Sequence, residues 1–442
     1  MFSGKADTIF ASASGAGRAA IAVFRVSGAA SADALRSLAP GPEVRPRTAV
    51  VRKLRYPNTL EVIDKALIIR FERPNSFTGE DLLELHVTGG RAVSRATIEA
   101  LSQVRGLRPA EPGEFAWRAF VNGKLDLSEV EGLAQLVEAE TEAQRRQAQR
   151  IAGGSLRREC ETIRAMIIEA MAAVEAQIDF SDVEGSELWT LNTVRESVRS
   201  ASMLIEKALL NSLAAERLRT GFTVVIAGPP NVGKSTLMNV LAGRDVAITS
   251  PLAGTTRDLI EIHLDRKGYP VVLVDTAGIR ASEDPVESEG VRRALRRAEA
   301  ADLTLWLSDD AFDAAPAVQG QAFRVRAKID LAGGASASRS GFDFAISAAT
   351  GEGIDELLEA IADRAAEQMS SSEPALLTAE RHRRAFRNAK NALDSILLSG
   401  PTELEIVAEE LRNAAAALDS VIGRIGVDHV LGEIFSRLCV GK

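Results

Sequence analysis

The sequence predicts a multidomain α/β protein in which a helical region is interrupted by an α/β module. Three patterns carry this reading. Short β-branched runs bounded by turn residues recur through residues 1–121. Apolar residues at helical spacing occupy two separated stretches, starting near Asp126 and again near Phe386. Between them lies a strand, a glycine-containing loop and a helix, opening at Phe222.

Taken in order, residues 20–26 and 66–71 read as strands. Residues 82–87 alternate apolar and polar side chains and stop at Gly89-Gly90, a strand followed by a turn. Residues 91–104 read as a helix ending near Gly106. From Asp126, Val130, Leu133 and Val137, then Ile163, Ile167, Ala170 and Val174, follow helical spacing, with breaks expected at Gly153-Gly154 and residues 182–185. Strands then alternate with helices from Phe222 to about Glu367, and residues 368–374 read as a linker. Phe386, Leu393, Leu397, Val407, Leu411, Leu418 and Ile422 resume the helical period. Two separate helical halves would each leave an apolar stripe without a partner, so one helical domain with an inserted module is expected. The expected boundaries are 1–121, 122–217, 218–369 and 370–442.

Composition narrows the function classes. The chain has 442 residues, 46% hydrophobic and 26% charged, which excludes a disordered or collagen-like chain. Acidic residues outnumber basic ones, 61 to 53, so wholesale coating of nucleic acid is not expected, although a local basic face is compatible with it. Two such faces are candidates: Arg145, Arg146, Arg150, Arg157 and Arg158, and Arg381, His382, Arg383, Arg384, Arg387 and Lys390. Two cysteines, Cys160 and Cys439, cannot build a disulfide framework. No apolar run approaches the ~18 residues that span a bilayer, and the start lacks a secretory core, so no membrane association and a cytoplasmic location are expected.

The strongest chemical signal is Gly228-Pro229-Pro230-Asn231-Val232-Gly233-Lys234-Ser235, after one strand and before one helix. Such a loop turns its backbone N–H groups onto phosphates at a helix N-terminus. The lysine supplies a point charge and the serine hydroxyl a Mg²⁺ ligand. Asp275-Thr276-Ala277-Gly278 ends a strand and would bring a carboxylate toward the metal. Gly254-Thr255-Thr256 lies where a switch segment would add the Thr256 hydroxyl. Ala327-Lys328-Ile329-Asp330 offers Asp330 to the N1–H and 2-amino hydrogens of guanine, and Ser347-Ala348 fits the remaining base-contacting loop. In this order the motifs form the signature of a Ras-like P-loop GTPase, with ATP the alternative nucleotide. Asn is usual where Ala327 stands. Ile279 occupies the position of the water-orienting glutamine, so Glu287 is a candidate to orient water, and Asn231 could ligate a monovalent cation.

Outside the module, Phe24-Arg25-Val26-Ser27-Gly28, the run from Ser76 to Leu85, Pro112-Gly113-Glu114-Phe115, the run from Arg118 to Leu127 and the C-terminal residues 434–442 complete a pattern. With the GTPase motifs, it resembles the MnmE (TrmE) family of bacterial tRNA-modification GTPases over the whole chain. The resemblance implies an N-terminal α+β folate-binding domain that forms a homodimer, an α-helical domain, and an inserted GTPase domain. It implies GTP as substrate, Mg²⁺ and K⁺, and a tetrahydrofolate derivative (5-formyl or 5,10-methylene) as one-carbon donor. The flavoprotein MnmG (GidA), in a heterotetramer or larger complex, and tRNA are the implied partners. The implied reaction adds a carboxymethylaminomethyl or aminomethyl group to carbon 5 of the wobble uridine.

Residue by residue, the resemblance puts folate on Arg25, Glu84, Lys124 and Lys442. It puts K⁺ on Asn231, Ser250, Leu252 and Thr255, Mg²⁺ on Ser235 and Thr256, and catalytic roles on Glu287 and Cys439. The implied GTP contacts are Asn231, Val232, Gly233, Lys234, Ser235 and Thr236; Ser250, Pro251, Leu252, Ala253, Gly254, Thr255 and Thr256; Asp275, Thr276, Ala277 and Gly278; Lys328 and Asp330; Ser347 and Ala348. A regulatory GTP switch that binds RNA without modifying it, as in ribosome assembly, is the alternative function.

Overall fold

The computed structural model describes residues 7–15, 17–179, 186–229, 231–243, 261–275, 301–309, 321–331, 341–370, 376–399, 403–425, 434–435 and 441; for 186–191, 275 and 399 it describes the backbone alone. The chain forms two compact units, one of residues 1–134, 152–161 and 415–442, the other of residues 135–151 and 162–414.

The first unit is built on β1 (Thr8–Ser12), β2 (Ile21–Ser27), β3 (Val50–Arg55), β4 (Val62–Phe71), β5 (Leu82–Thr88) and β6 (Leu107–Pro109), in the order β3-β4-β5-β2-β1-β6. Neighbours are antiparallel except β1 and β6. Alternation along β2 sends Ala22, Phe24 and Val26 to one face, where α1 (Ser31–Leu38) and α2 (Arg91–Ser102) cover them with Leu35, Leu38 and Leu101. Each such fully buried Leu or Phe contributes about 1.5–3 kcal/mol. The period of two sends Arg25 and Ser27 to the opposite face, toward Ile9, Ala11 and Phe115. Phe115 sits on α3 (Glu114–Val121), which precedes α4 (Leu127–Glu138). Phe435 is fully buried and packs with Ala116, Leu127 and Val130. The chain end is seated tightly here. Gly441 has φ +98°, and a Cβ on it would lie 2.3 Å from the Ser12 carbonyl oxygen.

The second unit carries α5 (Glu142–Ala152), α6 (Ser155–Asp179), α7 (Ser186–Leu210) and α8 (Ser212–Thr220), with the ranges of α5 and α6 shared between the two units as given above. Its sheet joins β7 (Phe222–Ala227), β8 (Glu261–Arg266), β9 (Tyr269–Asp275), β10 (Leu303–Ser308), β11 (Gln321–Arg326) and β12 (Phe344–Ala345), with α9 (Lys234–Ala242) following β7 and α10 (Ile354–Met369) following β12. The order is β12-β11-β10-β7-β9-β8, parallel except for β8. Val224, Ile226, Leu273, Leu305 and Val325 are buried on one face and Val225, Val272 and Val274 on the other, the pattern of a parallel sheet covered on both faces.

The chain continues through α11 (Glu380–Ser399) and α12 (Leu404–Ile422). α11 packs on α7: Ser202 Oγ donates to Asp394 Oδ1 at 2.8 Å, and Lys390 Nζ lies 2.9 Å from Asp394 Oδ2 and 3.5 Å from Glu206 Oε2. Helices from either side of the α/β module therefore pair with each other.

The strands read at 20–26, 66–71 and 82–87 appear as β2, β4 and β5, and the break at Gly153-Gly154 separates α5 from α6. β4 begins earlier, at Val62, because it pairs with β3 as far as Arg55. The sequence reading passed over the well-buried β1 and α1 as well as two weakly patterned strands. β3 is an edge strand that fully buries only Leu54, and β6 has three residues, one of them Pro109. The break expected at 182–185 lies outside the described residues. No helix among the described residues is long and apolar enough to cross a membrane.

Candidate functional site: a phosphate cradle and a charged pocket

β7 ends at Ala227, and the following loop has left-handed backbone at Gly228, Asn231 and Gly233 (φ +148°, +58° and +111°). A Cβ at Gly228 would lie 2.2 Å from the Leu307 carbonyl oxygen of β10, so only glycine lets the loop leave the sheet here. Val232 is buried and pins the loop to the core, whereas Asn231, Ser235 and Thr236 are exposed. Lys234 opens α9 and is nearly buried; its Nζ donates to the carbonyls of Gly228 at 2.9 Å and Pro229 at 2.8 Å. The ammonium is thereby centred over the loop, where phosphate oxygens would be stronger acceptors than carbonyls.

Three further elements converge on this loop. Asp275 closes β9 and pairs in register with Ile226, at the same sheet end. Lys328, with φ +57°, donates from Nζ to the Asn231 carbonyl at 2.6 Å. This bond ties the Ala327–Asp330 segment to the phosphate loop, the kind of tether the usual Asn side chain would have given at Ala327. Ala327 is itself buried and bonds through its N–H to Ser308 O at 2.9 Å. Ser347 is fully buried, and its hydroxyl donates to Asp330 Oδ1 at 2.6 Å. One carboxylate oxygen is so held by the serine while the exposed Asp330 presents the other outward. Ala348 packs partly against the core. Of the other residues expected in this site, Ser250, Pro251, Leu252, Ala253, Gly254, Thr255, Thr256, Thr276, Ala277, Gly278 and Glu287 lie outside the described residues.

In the first unit, Arg25 on β2 stands opposite Glu84 on β5, and Arg25 Nε donates to Glu84 Oε1 at 2.9 Å. His86 Nε2 lies 3.3 Å from the other carboxylate oxygen. The Arg25 guanidinium sits 5.5 Å over the Phe77 ring, and its Nη1 reaches the Gly441 carbonyl at 3.5 Å. Lys124 is exposed, and its methylenes adjoin Gly79, at 3.1 Å from a Cβ placed there. Arg25, Glu84 and the chain end are thus brought together, and Lys124, between α3 and α4, packs against the β4–β5 loop that carries Phe77. Lys442 and Cys439 lie outside the described residues.

Behind this pocket is an ionic network that the sequence reading quoted only as motif. Arg118, nearly buried, donates to Glu80 Oε2 at 3.1 Å, Asp7 Oδ1 at 2.9 Å and Glu114 Oε1 at 3.0 Å. Arg108 makes a two-pronged pair with Glu114, at 2.8 and 2.6 Å. Burial pushes the Glu114 carboxyl up, but bonds from Arg108, the Glu111 amide and Arg118 outweigh it and hold it below the usual range. The same guanidiniums lower Asp7 against its own burial, and the carboxylates raise Arg118 against the cost of desolvation. The spacing of Glu114 and Arg118, four apart on a short helix, was the readable signal.

The two basic runs differ. In the second, His382 and Arg383 are buried, Arg383 pairs with Glu216 at 3.0 Å, and Lys390 is held by Asp394, leaving Arg384 and Arg387 exposed. In the first, Arg145 and Arg146 share Glu142 on an exposed face and Arg157 pairs with Glu161. Hydrogen bonds from Arg145 and Arg146, with their charges, hold the Glu142 carboxyl down at about 2.

Comparison with known proteins supplies two domain matches. Residues 8–124 match the N-terminus of the GTP-binding protein TrmE, and residues 127–439 match the MnmE helical domain. Relatives called tRNA modification GTPase MnmE include that of Rhodopseudomonas palustris, 51% identical over 439 residues and 99% of each chain. Those of Methylobacterium sp. and Beijerinckia indica are each 48% identical, covering 99% of this chain and 100% and 96% of theirs. Among solved structures, an Era variant of Aquifex aeolicus bound to GDP and aluminium fluoride is 27% identical over 41% of this chain and 69% of its own, with a TM-score of 0.24.

Proposed function

The chain belongs to the MnmE (TrmE) family of tRNA modification GTPases, and we propose that its α/β module hydrolyses GTP to drive modification of a tRNA wobble uridine. The observation that supports this best is the Lys234 ammonium centred on the glycine loop, tied through Asn231 and Lys328 to the segment carrying Asp330. In that reading, Lys234 neutralises the β- and γ-phosphates and the loop amides hold them in line for attack. Asp330, oriented by Ser347, accepts the two guanine hydrogens.

The exposed Ser235 hydroxyl, in the first turn of α9, is a hard oxygen donor of the kind Mg²⁺ takes, with Thr256 as its partner ligand. A bound Mg²⁺ would supply charge neutralisation at the phosphates. Asn231, Ser250, Leu252 and Thr255 would hold K⁺, which would add positive charge at the phosphates, and Glu287 would orient the attacking water. GTP turnover in potassium against sodium, with ATP as competitor, tests this; equal rates in the two salts, or competition by ATP, defeat it.

The first unit is proposed to bind the tetrahydrofolate one-carbon donor. Its pocket suits such a ligand: the Glu84 carboxylate matches a pterin's amide and amino hydrogens, and Arg25, Lys124 and Lys442 match its anionic glutamate. Cys439 is a nucleophile candidate. The working form is a homodimer in the cytoplasm, joined by the flavoprotein MnmG, with folate-binding (1–121), helical (122–217 and 370–442) and GTPase (218–369) domains. Mass spectrometry of wobble nucleosides after deletion of the gene is decisive. Fully modified anticodons would leave only the GTP-switch alternative.

A further inference from the structure

Residues 76–81, between β4 and β5, form a short loop that touches two of the candidate folate residues at once. Its Phe77 lies under Arg25 and packs against Ile9, Ala11 and Phe115, and its Gly79 adjoins the methylenes of Lys124. What fixes the loop is polar. The Ser27 hydroxyl is 2.7 Å from both Thr78 Oγ1 and Glu80 Oε2, and Asn122 Nδ2 donates to Thr78 O at 2.7 Å. Glu80 is then anchored by Arg118, whose side chain is only 5% exposed.

We infer that Glu80, held by the buried Arg118, is a positioning residue for the one-carbon carrier, because it fixes the loop on which Arg25 and Lys124 rest. The inference depends on the folate reading above. Arg118 faces three carboxylates, Asp7, Glu80 and Glu114, of which only Glu80 belongs to the loop. Loss of Glu80 leaves the buried cation compensated by the other two, so the fold persists while the loop is released. Loss of Arg118 would instead remove the buried cation that Asp7, Glu80 and Glu114 share. Glu80 is therefore the position at which placement of the loop separates from stability.

The test is calorimetric binding of 5-formyltetrahydrofolate to the full-length chain, with thermal midpoint and GTP turnover measured on the same samples. Glu80→Ala is expected to weaken binding about tenfold, the equivalent of one charge-assisted hydrogen bond, with midpoint and GTP turnover near wild type. Glu80→Gln, whose amide oxygen still accepts from Ser27 and Arg118, is expected to restore most of the affinity. Phe77→Ala combined with Glu80→Ala should bind no worse than Phe77→Ala alone, since both act through one loop. Unchanged affinity in Glu80→Ala, additive losses in the double variant, or a midpoint that falls with the affinity each overturns the inference and leaves the folate reading standing. A wild-type chain that does not bind the folate overturns both.

Discussion

The phosphate cradle takes its core groups from residues 228–236, a single turn between one strand and one helix, whereas the Arg25 pocket joins residues 59 and 416 positions apart in the chain. The cradle works through backbone conformation: left-handed residues at Gly228, Asn231 and Gly233 set the loop, and one lysine lies across it. The pocket works through half-buried side chains backed by a buried ionic network. Its shape depends on Arg118 and Glu114, which touch none of the candidate ligand contacts directly. A locally coded site tolerates change elsewhere in the fold; a site assembled from distant segments inherits the stability of whatever holds those segments together.

That contrast predicts where each site breaks. Glu114→Ala should have the largest effect, a loss of about 3–5 kcal/mol, because it removes the buried carboxylate that bonds both Arg108 and Arg118 and leaves the two guanidiniums sharing the more exposed Asp7. Urea unfolding of the full chain would measure it, and a loss below about 1 kcal/mol would mean the network is dispensable. Lys234→Ala should leave stability nearly untouched and slow GTP turnover by about 10²–10³-fold, the usual cost of one preorganised charge on a transferring phosphoryl group. Phosphate-release kinetics decide this, and a loss under tenfold would end the comparison. Ser347→Ala frees one oxygen of Asp330 and should weaken GTP by about 3–10-fold, equivalent to about 0.5–1.5 kcal/mol. Equilibrium binding of a fluorescent guanine nucleotide reads that change.

The smallest effect is one of pH. Asp7 and Glu114 lie below their ordinary values of 3.8 and 4.5 in the folded chain. As pH falls through that range the unfolded chain takes up protons first, so their contribution is complete above it and is lost as pH drops through the lower folded values. The unfolding midpoint of the first unit should decline in acid, and Glu114→Gln should make that decline shallower. An unaltered slope would place the acid sensitivity elsewhere.

These differences also explain what was readable beforehand. The phosphate loop, Asp330 and Ser347 could be named from spacing, because each follows a strand immediately and strand ends in a parallel sheet share one edge. Arg25 and Glu84 could be named as folate contacts only by resemblance, since β2 and β5 are separated by helix and hairpin; the register of the two strands is what places the residues opposite each other. Glu80 and Arg118 were quoted without a role, and the Lys328 tether to Asn231 was not anticipated at all. The second basic run looked like one face, yet helical geometry turned His382 and Arg383 inward and left Arg384 and Arg387 outside.

The sequence by itself determined the strand–loop–helix order, the left-handed glycine at the cradle and the apolar stripes on both sides of the module, because these depend on dihedral freedom and periodicity within a few residues. Tertiary structure alone decided which helices pair across the module, which charges are buried, and that the chain end returns to Arg25. Those outcomes depend on burial and on the pairing of opposite charges from distant segments, where the energy of each group is set by neighbours that no local pattern encodes.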